Sequence, residues 1–209
     1  MKSAKVLEML NSGHIEELKA MLEDEIYIDS LKNKPSVKKR YTAMKKYFTY
    51  VTSAREVFNK PCTVEFEGVN YISFCNSYSL ALTTEDCGEI SMFNTSIGVY
   101  PDVCRLINYN GEKRTVDFSK IFAEAKSKGY KLKKSEVVNN KYLLHFNGAY
   151  FRIGLLDVTF GIIDDGKEAT VYRSKDGIKP ITIKTNIGIC VVMPVRYEIE
   201  PNSVIIEVQ

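Results

Sequence analysis

Residues 188–196 read GICVVMPVR, an apolar run that ends in Met-Pro-Val-Arg. The run follows the turn signal at residues 186–188 and carries β-branched side chains, so we predict a strand over residues 189–194. Two further strands are predicted upstream, over residues 169–173 and 181–185, with a turn at Asp176 and Gly177. Strands joined by such short turns are typical of an antiparallel sheet.

The rest of the carboxyl-terminal half mixes helices with strands. Asp117 is predicted to cap a helix whose apolar face carries Phe118, Ile121 and Ala125. Asn147 and Gly148 separate two strand-like runs, over 142–146 and 149–153, and predict a tight hairpin. Residues 154–164, GLLDVTFGIID, predict a short buried helix, although their composition would also suit a strand. A last strand is predicted over residues 203–208.

The amino-terminal part of the chain has a different pattern of apolar residues, with the periodicity of helices. Apolar residues recur every three or four positions through residues 1–60, with a break at Ser12 and Gly13 and a new helix opened by Pro35. From Pro61 onward, residues alternate in the manner of strands. We therefore predict an α+β fold with mostly antiparallel sheets, preceded by a helical amino-terminal region.

Composition narrows the class of protein. The 209 residues are 44% apolar and 26% charged, which suits a globular chain and argues against disorder. No apolar run is long enough for a transmembrane helix, and the amino terminus does not read as a secretory signal, so we expect a cytoplasmic protein without membrane contact. Five single cysteines without paired spacing argue against a disulfide framework and a zinc site.

The net charge of +3 hides a strong sorting of charges along the chain. Residues 61–103 contain no lysine or arginine, whereas two basic clusters lie at residues 32–46 and 120–134. Helices that carry such clusters could hold a phosphate backbone without reading sequence, or could simply be solvated surfaces. The residues predicted to contact DNA are Lys38, Lys39, Arg40, Lys45, Lys46, Lys120, Lys126, Lys128, Lys131, Lys133 and Lys134.

Motifs that would indicate catalysis are missing from the sequence. There is no phosphate-binding glycine loop, nucleophile elbow or zinc-protease motif, and neither histidine has a metal-ligating neighbour. Asp164 and Asp165 read as a turn, and the lone Asp157 suits a capping or surface role. We therefore expect no catalytic residues, no metal and no cofactor, and rank an enzyme acting on nucleic acid last.

Several segments, in the right order, resemble the bacterial sliding clamp, the beta subunit of replicative DNA polymerase. The run at 188–196 is similar to the last strand of that family, and residues 178–183 resemble the strand before it. Residues 100–106, YPDVCRL, look like the segment that joins the last two clamp domains. Residues 72–82, ISFCNSYSLAL, look like a degenerate copy of a turn and strand in the preceding domain.

The resemblance implies a role in DNA replication. Clamps encircle duplex DNA and bind polymerases through short peptides that enter a pocket between domains. Carried over residue by residue, the pocket would comprise Tyr78, Leu80, Pro101, Arg105, Leu106, Val191, Met193, Pro194 and Arg196. Duplex DNA and a DNA polymerase or other clamp-binding peptide are the implied partners, and a phage or mobile element is the source suggested by the divergence.

The chain also departs from the family. Thirteen residues follow Arg196, and this acidic tail could cover the pocket, pair with a sheet edge or mediate oligomerisation. The length allows about two clamp-like units, predicted at 1–105 and 106–209, so a ring would need a homo-oligomer. The alternative function is a regulatory protein-interaction module that keeps the clamp fold without binding DNA.

Overall fold

The structure, a computed structural model, describes residues 3–51, 56–89, 100–174, 176, 178–196, 199 and 201–208. Its helices are α1 (Ser3–Asn11), α2 (Ile15–Ser30), α3 (Pro35–Tyr50), α4 (Phe118–Ser127), α5 (Lys134–Val138) and α6 (Ile153–Ile163). Its strands are β1 (Cys62–Phe66), β2 (Val69–Cys75), β3 (Ser79–Thr83), β4 (Glu112–Val116), β5 (Tyr142–Phe146), β6 (Ala149–Arg152), β7 (Ala169–Arg173), β8 (Ile181–Lys184), β9 (Gly188–Val192) and β10 (Val204–Glu207).

The strands form two sheets. The large sheet has seven strands in the order β1-β2-β3-β9-β8-β7-β4, and all of its pairs are antiparallel. The small sheet has the order β10-β5-β6, with β10 parallel to β5. The prediction of an α+β fold with mostly antiparallel sheets behind a helical amino-terminal region is confirmed.

The large sheet joins the two halves of the chain. Strand β3 pairs with β9 along its whole length, and Leu80 lies opposite Val191 in that register. Strands from both predicted units therefore share one sheet, while the boundary between residues 105 and 106 stays a prediction.

Helix α6 is the centre of the molecule. Nine of its eleven residues are buried, and it contacts α3, α5, β3 and β9 as well as both strands of the β5–β6 hairpin. The segment is a helix, as predicted, and not the strand that its β-branched content also allowed. A helix can bury apolar side chains around its entire circumference, which suits a position between two sheets.

Two glycines allow the closest backbone contacts around α6. A Cβ atom on Gly154 would lie 2.3 Å from the carbonyl oxygen of Glu136, so α5 rests directly on the first turn of α6. A Cβ atom on Gly188 would lie 2.2 Å from the carbonyl oxygen of Leu82 and 2.6 Å from Ile163. Only glycine permits the strand and the helix to approach this closely.

Local signals in the sequence act where they were expected. The Asp117 carboxylate accepts a hydrogen bond from the backbone N–H of Ser119 at 3.0 Å and so caps α4. At the β5–β6 hairpin, Asn147 and Gly148 have φ angles of 46° and 73°. Both positive values match the turn type that Asn-Gly favours between antiparallel strands.

The acidic tail pairs with a sheet edge, which was one of the three roles considered for it. Strand β10 lies beside β5, and Ile206 is fully buried. The Ser203 hydroxyl donates to the carbonyl of Asn140 at 2.7 Å and holds the start of the strand. Residues 203–208 are thus part of the fold, and the idea that they cover the pocket at 193–196 is wrong for this segment.

A second, smaller core lies on the outer face of the large sheet. Leu80, Leu82 and Val191 point to this face, and Val103 from the connection at residues 100–109 packs on them. The Asn108 N–H donates to the Thr182 hydroxyl at 3.1 Å and ties the same connection to β8. The face opposite the helices is therefore also covered.

The cysteines are all free thiols, and three of them, Cys75, Cys87 and Cys190, are buried. Burial raises the pKa of Cys75 to about 12, so this thiol is neutral at physiological pH. Among the described residues, no helix combines the length and the apolar character needed to cross a lipid bilayer.

The two glycines of α6 provide a matched test of the packing. We expect Gly154→Ala to lower the free energy of unfolding by about 2 kcal/mol or more, because its Cβ atom overlaps the α5 backbone. Gly161→Ala is the control, since its Cβ atom would meet only Ala43 at an ordinary 3.6 Å. Helix propensity should make that variant neutral or more stable by up to about 1 kcal/mol. Equal urea midpoints for Gly154→Ala and the parent protein would contradict the close α5–α6 contact.

Candidate functional site

A basic groove with a volume of about 470 Å³ lies between α3 and α6. Four lysines of the first basic cluster line its wall. Lys32 lies just before α3, and Lys38, Lys39 and Lys46 lie on α3. Its floor is formed by α6, through Asp157, Val158, Gly161 and Asp164, and Leu132 of the α4–α5 connection closes one side.

The sequence of α3 explains why lysines face this groove. Lys38, Thr42 and Lys46 are spaced four residues apart and so share one side of the helix. The opposite side, with Tyr41 and Met44, is buried in the main core. Helix α3 contains no acidic residue, so the lysine side of the helix is purely basic.

Asp157 connects the two basic clusters. Its carboxylate accepts a hydrogen bond from the Tyr130 hydroxyl at 3.0 Å. Lys126 of α4 and Lys46 of α3 both exert a favourable charge interaction on it. Lysines from clusters that are far apart in sequence therefore lie around one side chain of α6.

The pKa of Asp157 reflects a competition between burial and these neighbours. Burial raises the pKa of this carboxyl, and the Tyr130 hydrogen bond and the charges of Lys126 and Lys46 only partly offset the effect. The net pKa lies above its ordinary value. The neighbouring Tyr130 also has a raised pKa, because of its own burial and the adjacent Asp157, so it remains a neutral hydrogen-bond donor.

Four of the predicted DNA-binding residues point elsewhere. Arg40 is only 8% exposed and pairs with Glu85 at 3.1 Å, so its guanidinium is not available to a phosphate. Lys45 lies on the α2 side of α3, where it pairs with Asp24 at 3.1 Å. The other two, Lys120 and Lys128, pair with acids of their own helix region, at 3.4 Å with Asp117 and 2.7 Å with Glu124.

Of the remaining predicted lysines, Lys38, Lys39 and Lys46 line the groove. Lys39 pairs with Asp164 at the rim at 2.7 Å. For the other six, no carboxylate of the described residues lies within ion-pair distance. Those six are Lys38, Lys46, Lys126, Lys131, Lys133 and Lys134, of which Lys131 and Lys133 flank the groove residue Leu132.

Sequence reasoning missed the floor of this site. It assigned Asp157 to a cap or an open surface, whereas the structure places it half-buried beneath two helices. Tyr130 and Leu132 were not singled out at all. The one signal in the sequence was the carboxylate of Asp157 within an apolar segment. Its role in the groove can be recognised only once the positions of the neighbouring helices are known.

The predicted peptide pocket is only partly formed. Its three source segments do come together, because Leu80 and Val191 pair across β3 and β9 beneath Val103 of the connecting segment. However, Leu80 and Val191 are fully buried and Pro194 is buried as well. These three side chains are core residues and do not line an open pocket.

The other predicted pocket residues reach the surface. Tyr78 is 57% exposed, and its carbonyl accepts a hydrogen bond from the Met193 N–H at 2.9 Å. The Asn76 side chain orients the turn by accepting from the N–H groups of Tyr78 and Ser79, at 2.8 and 2.6 Å. Pro101 and Met193 are half-buried, whereas Arg105, Leu106 and Arg196 are exposed.

The chemistry available at the basic groove is binding by charge. Flexible ammonium groups can donate hydrogen bonds to phosphate oxygens without reading bases. The described residues contain no group of three or more histidine, cysteine, aspartate or glutamate side chains that could hold a metal ion.

The raised pKa of Asp157 predicts a pH effect on stability. A carboxyl whose folded pKa exceeds its unfolded value loses stability as pH rises through the folded pKa. Compared with the parent protein, Asp157→Asn should therefore become more stable as pH rises from 4 to 7, as followed by urea unfolding.

Asp165→Asn is the control with the opposite sign. Burial opposes ionisation of Asp165, but hydrogen bonds from Asn186 and Lys167 outweigh it and lower its pKa. This variant should lose stability relative to the parent as pH rises from about 2 to 5, because the window lies between the lowered folded pKa and the ordinary unfolded pKa of an aspartate. A parallel pH dependence for both variants would contradict the assignment of Asp157.

Comparisons with known proteins give little further information. No family model matches the chain, and no curated protein matches it in sequence. The crystal structure of a DnaN sliding clamp (DNA polymerase III subunit beta) from Bartonella birtlesii, bound to griselimycin, has 12% sequence identity and a TM-score of 0.46. The match covers 75% of this chain and 64% of that one. The chain thus spans less than two thirds of that protein, and the likeness is weak.

Proposed function

We propose that this protein is a non-catalytic accessory protein of DNA replication, of the sliding-clamp kind, that holds duplex DNA at the basic groove. One observation carries the proposal: Lys38 and Lys46 of α3 line a groove whose floor residue Asp157 also has a favourable charge interaction with Lys126 of α4. Lysines of both basic clusters thus lie near the floor of one groove. Ammonium groups on neighbouring helices of one groove would allow contacts with phosphates of the same duplex.

The charge pattern supports binding to the backbone and not to bases. The groove lysines are long and flexible, and they come from helix faces that have no planar amide or arginine fork to read a base edge. Lys38 and Lys46 line the groove without a carboxylate of the described residues at ion-pair distance, so both are available to phosphates. Binding of this kind is sequence-independent and weakens steeply with salt.

Charge-removing variants test this proposal directly. We expect Lys38→Gln/Lys46→Gln to weaken binding of a labelled duplex about tenfold at low salt and to reduce the slope of log affinity against log salt by about 1.8. Fluorescence anisotropy over a salt series measures both quantities.

A variant of equal charge on the other side of the large sheet is the control. Lys184 lies over the Tyr109 ring at 5.3 Å, and Lys113 is opposite Tyr172, which packs on the same ring. Lys113→Gln/Lys184→Gln should leave the slope unchanged. Equal losses in the two double variants, or a parent protein that does not bind duplex at low salt, would refute DNA binding at the groove. The second outcome would favour the alternative function, a regulatory protein-interaction module that keeps the clamp fold but does not bind DNA.

A second candidate function, peptide binding, is favoured by the surroundings of Tyr78. This exposed aromatic side chain borders a cavity of about 180 Å³, together with Val51, Val138 and Leu155. The lining also includes the polar Asn76 and Arg152. An aromatic side chain beside a cavity with several apolar walls suits a short peptide with apolar anchors. This peptide-binding surface differs from the pocket predicted from the resemblance to sliding clamps, because Leu80, Val191 and Pro194 of that pocket are buried.

Tyr78→Ala should weaken binding of a polymerase-type clamp-binding peptide about tenfold, as measured by calorimetry, because the variant removes the aromatic wall. Val69→Ala, at an exposed position of β2, is the control and should bind like the parent protein. Unchanged affinity in Tyr78→Ala would exclude this surface as the peptide site.

A further inference from the structure

Helices α1 and α2 display an apolar surface that no described part of the chain covers. Ile15, Leu22 and Ile26 of α2 are exposed, with Ile26 at 69%. Their spacing of seven and four residues places them in one stripe along the helix. Leu7 and Leu10 of α1 are also exposed. A stripe of large aliphatic side chains at helical spacing usually packs against another element.

The contacts that attach α2 to the rest of the protein lie on the other side of this helix. The Tyr41 hydroxyl donates to the Asp24 carboxylate at 2.6 Å, and Lys45 pairs with the same carboxylate at 3.1 Å. The Tyr27 hydroxyl accepts from the Glu89 N–H at 2.6 Å. These contacts, with buried Leu18, hold α2 in place and leave the stripe of Ile15, Leu22 and Ile26 open.

Acidic side chains border this stripe. Glu16 and Glu23 lie on one border, and Glu25 and Asp29 on the other, where Asp29 also pairs with Lys32 at 3.2 Å. The one basic residue of α2, Lys19, lies within the stripe. Beside the stripe lies a concavity of about 410 Å³ lined by Leu22, Ile26, Ile28, Glu25 and Asp29. Apolar contacts and negative charges are thus offered side by side.

We propose that the α2 stripe, Ile15, Leu22 and Ile26 with its acidic borders, docks a basic amphipathic helix of a partner protein. Leucine-type side chains of the partner would enter the concavity at Leu22 and Ile26, and its lysines or arginines would face Glu16 and Glu23. Helix-in-groove binding uses this combination of apolar anchors and flanking charges. Opposite charges along the borders would steer the partner and fix its direction.

Charge argues against two other occupants. A nucleic acid would bring its phosphates next to the Glu16 and Glu23 carboxylates, which repel it. A second copy that packed through the same stripe would set two acidic helices against each other. A basic helix is the occupant whose charges complement the border formed by Glu16 and Glu23.

The test uses the full-length protein without DNA and two synthetic helices as probes. Both peptides carry the same leucine positions, one flanked by lysines and the other by glutamates. We expect the lysine peptide to bind and the glutamate peptide to bind at least about tenfold more weakly. Fluorescence anisotropy measures the affinities, and circular dichroism verifies that both peptides have similar helicity.

Matched variants locate the site. Leu22→Ser/Ile26→Ser should weaken the lysine peptide at least about tenfold. The control is Val69→Ser/Ile178→Ser, because the exposures of Val69 and Ile178, 42% and 66%, nearly equal the 41% and 69% of the tested pair. Glu16→Gln/Glu23→Gln should reduce the salt dependence of binding and leave the fold unchanged.

Three results would overturn the proposal: no binding of the lysine peptide, equal binding of the two peptides, or equal affinity in the stripe and control variants. A fourth contradicting result would come from sedimentation of the parent protein alone. If the parent is a dimer and Ile26→Ser dissociates it, the occupant of the stripe is a second copy of the chain. All of these readouts are independent of duplex binding at the basic groove.

Discussion

The burial of α6 between two sheets is the constraint on which the rest of the structure depends. This helix supplies nine buried residues to the core, and its contacts with β3 and β9 connect it to strands from both halves of the chain. The approach is close enough that Gly154 and Gly188 have no room for a side chain. Because close-packed interiors respond to changes as small as one methyl group, these two positions hold the layers at their observed spacing.

The candidate site follows from the few parts of α6 that are not buried. Asp157 and Gly161 face outward between α3 and the α4–α5 connection, so the helix that fills the core also forms the floor of the basic groove. Since α3 is packed on α6, the lysines on its groove side, Lys38 and Lys46, border the same opening. The acidic α2 helix lies on the other side of α3, where Asp24 pairs with Lys45. The molecule thus separates a basic surface from an acidic one by a single helix.

The sequence predicted the elements better than the site. The Asp117 cap, the Asn147-Gly148 hairpin and the α6 helix depend on neighbours within a few residues, and the structure contains all three. The site depends on which side of a helix each residue occupies. The cluster at residues 32–46 divides between the groove, the α2 side and the buried pair of Arg40 with Glu85. A count of lysines along the chain cannot make that division.

The sequence by itself determined the α+β class, the helical amino-terminal region, the turns and the sorting of charge into acidic and basic segments. These features arise from local backbone preferences and from composition. Only the tertiary structure decided that Asp157 interacts with the charges of both Lys46 and Lys126, that Leu80 and Val191 are covered, and that the tail completes the small sheet. Such outcomes require contacts between residues remote in sequence, and their energies depend on burial and distance, which no single segment contains.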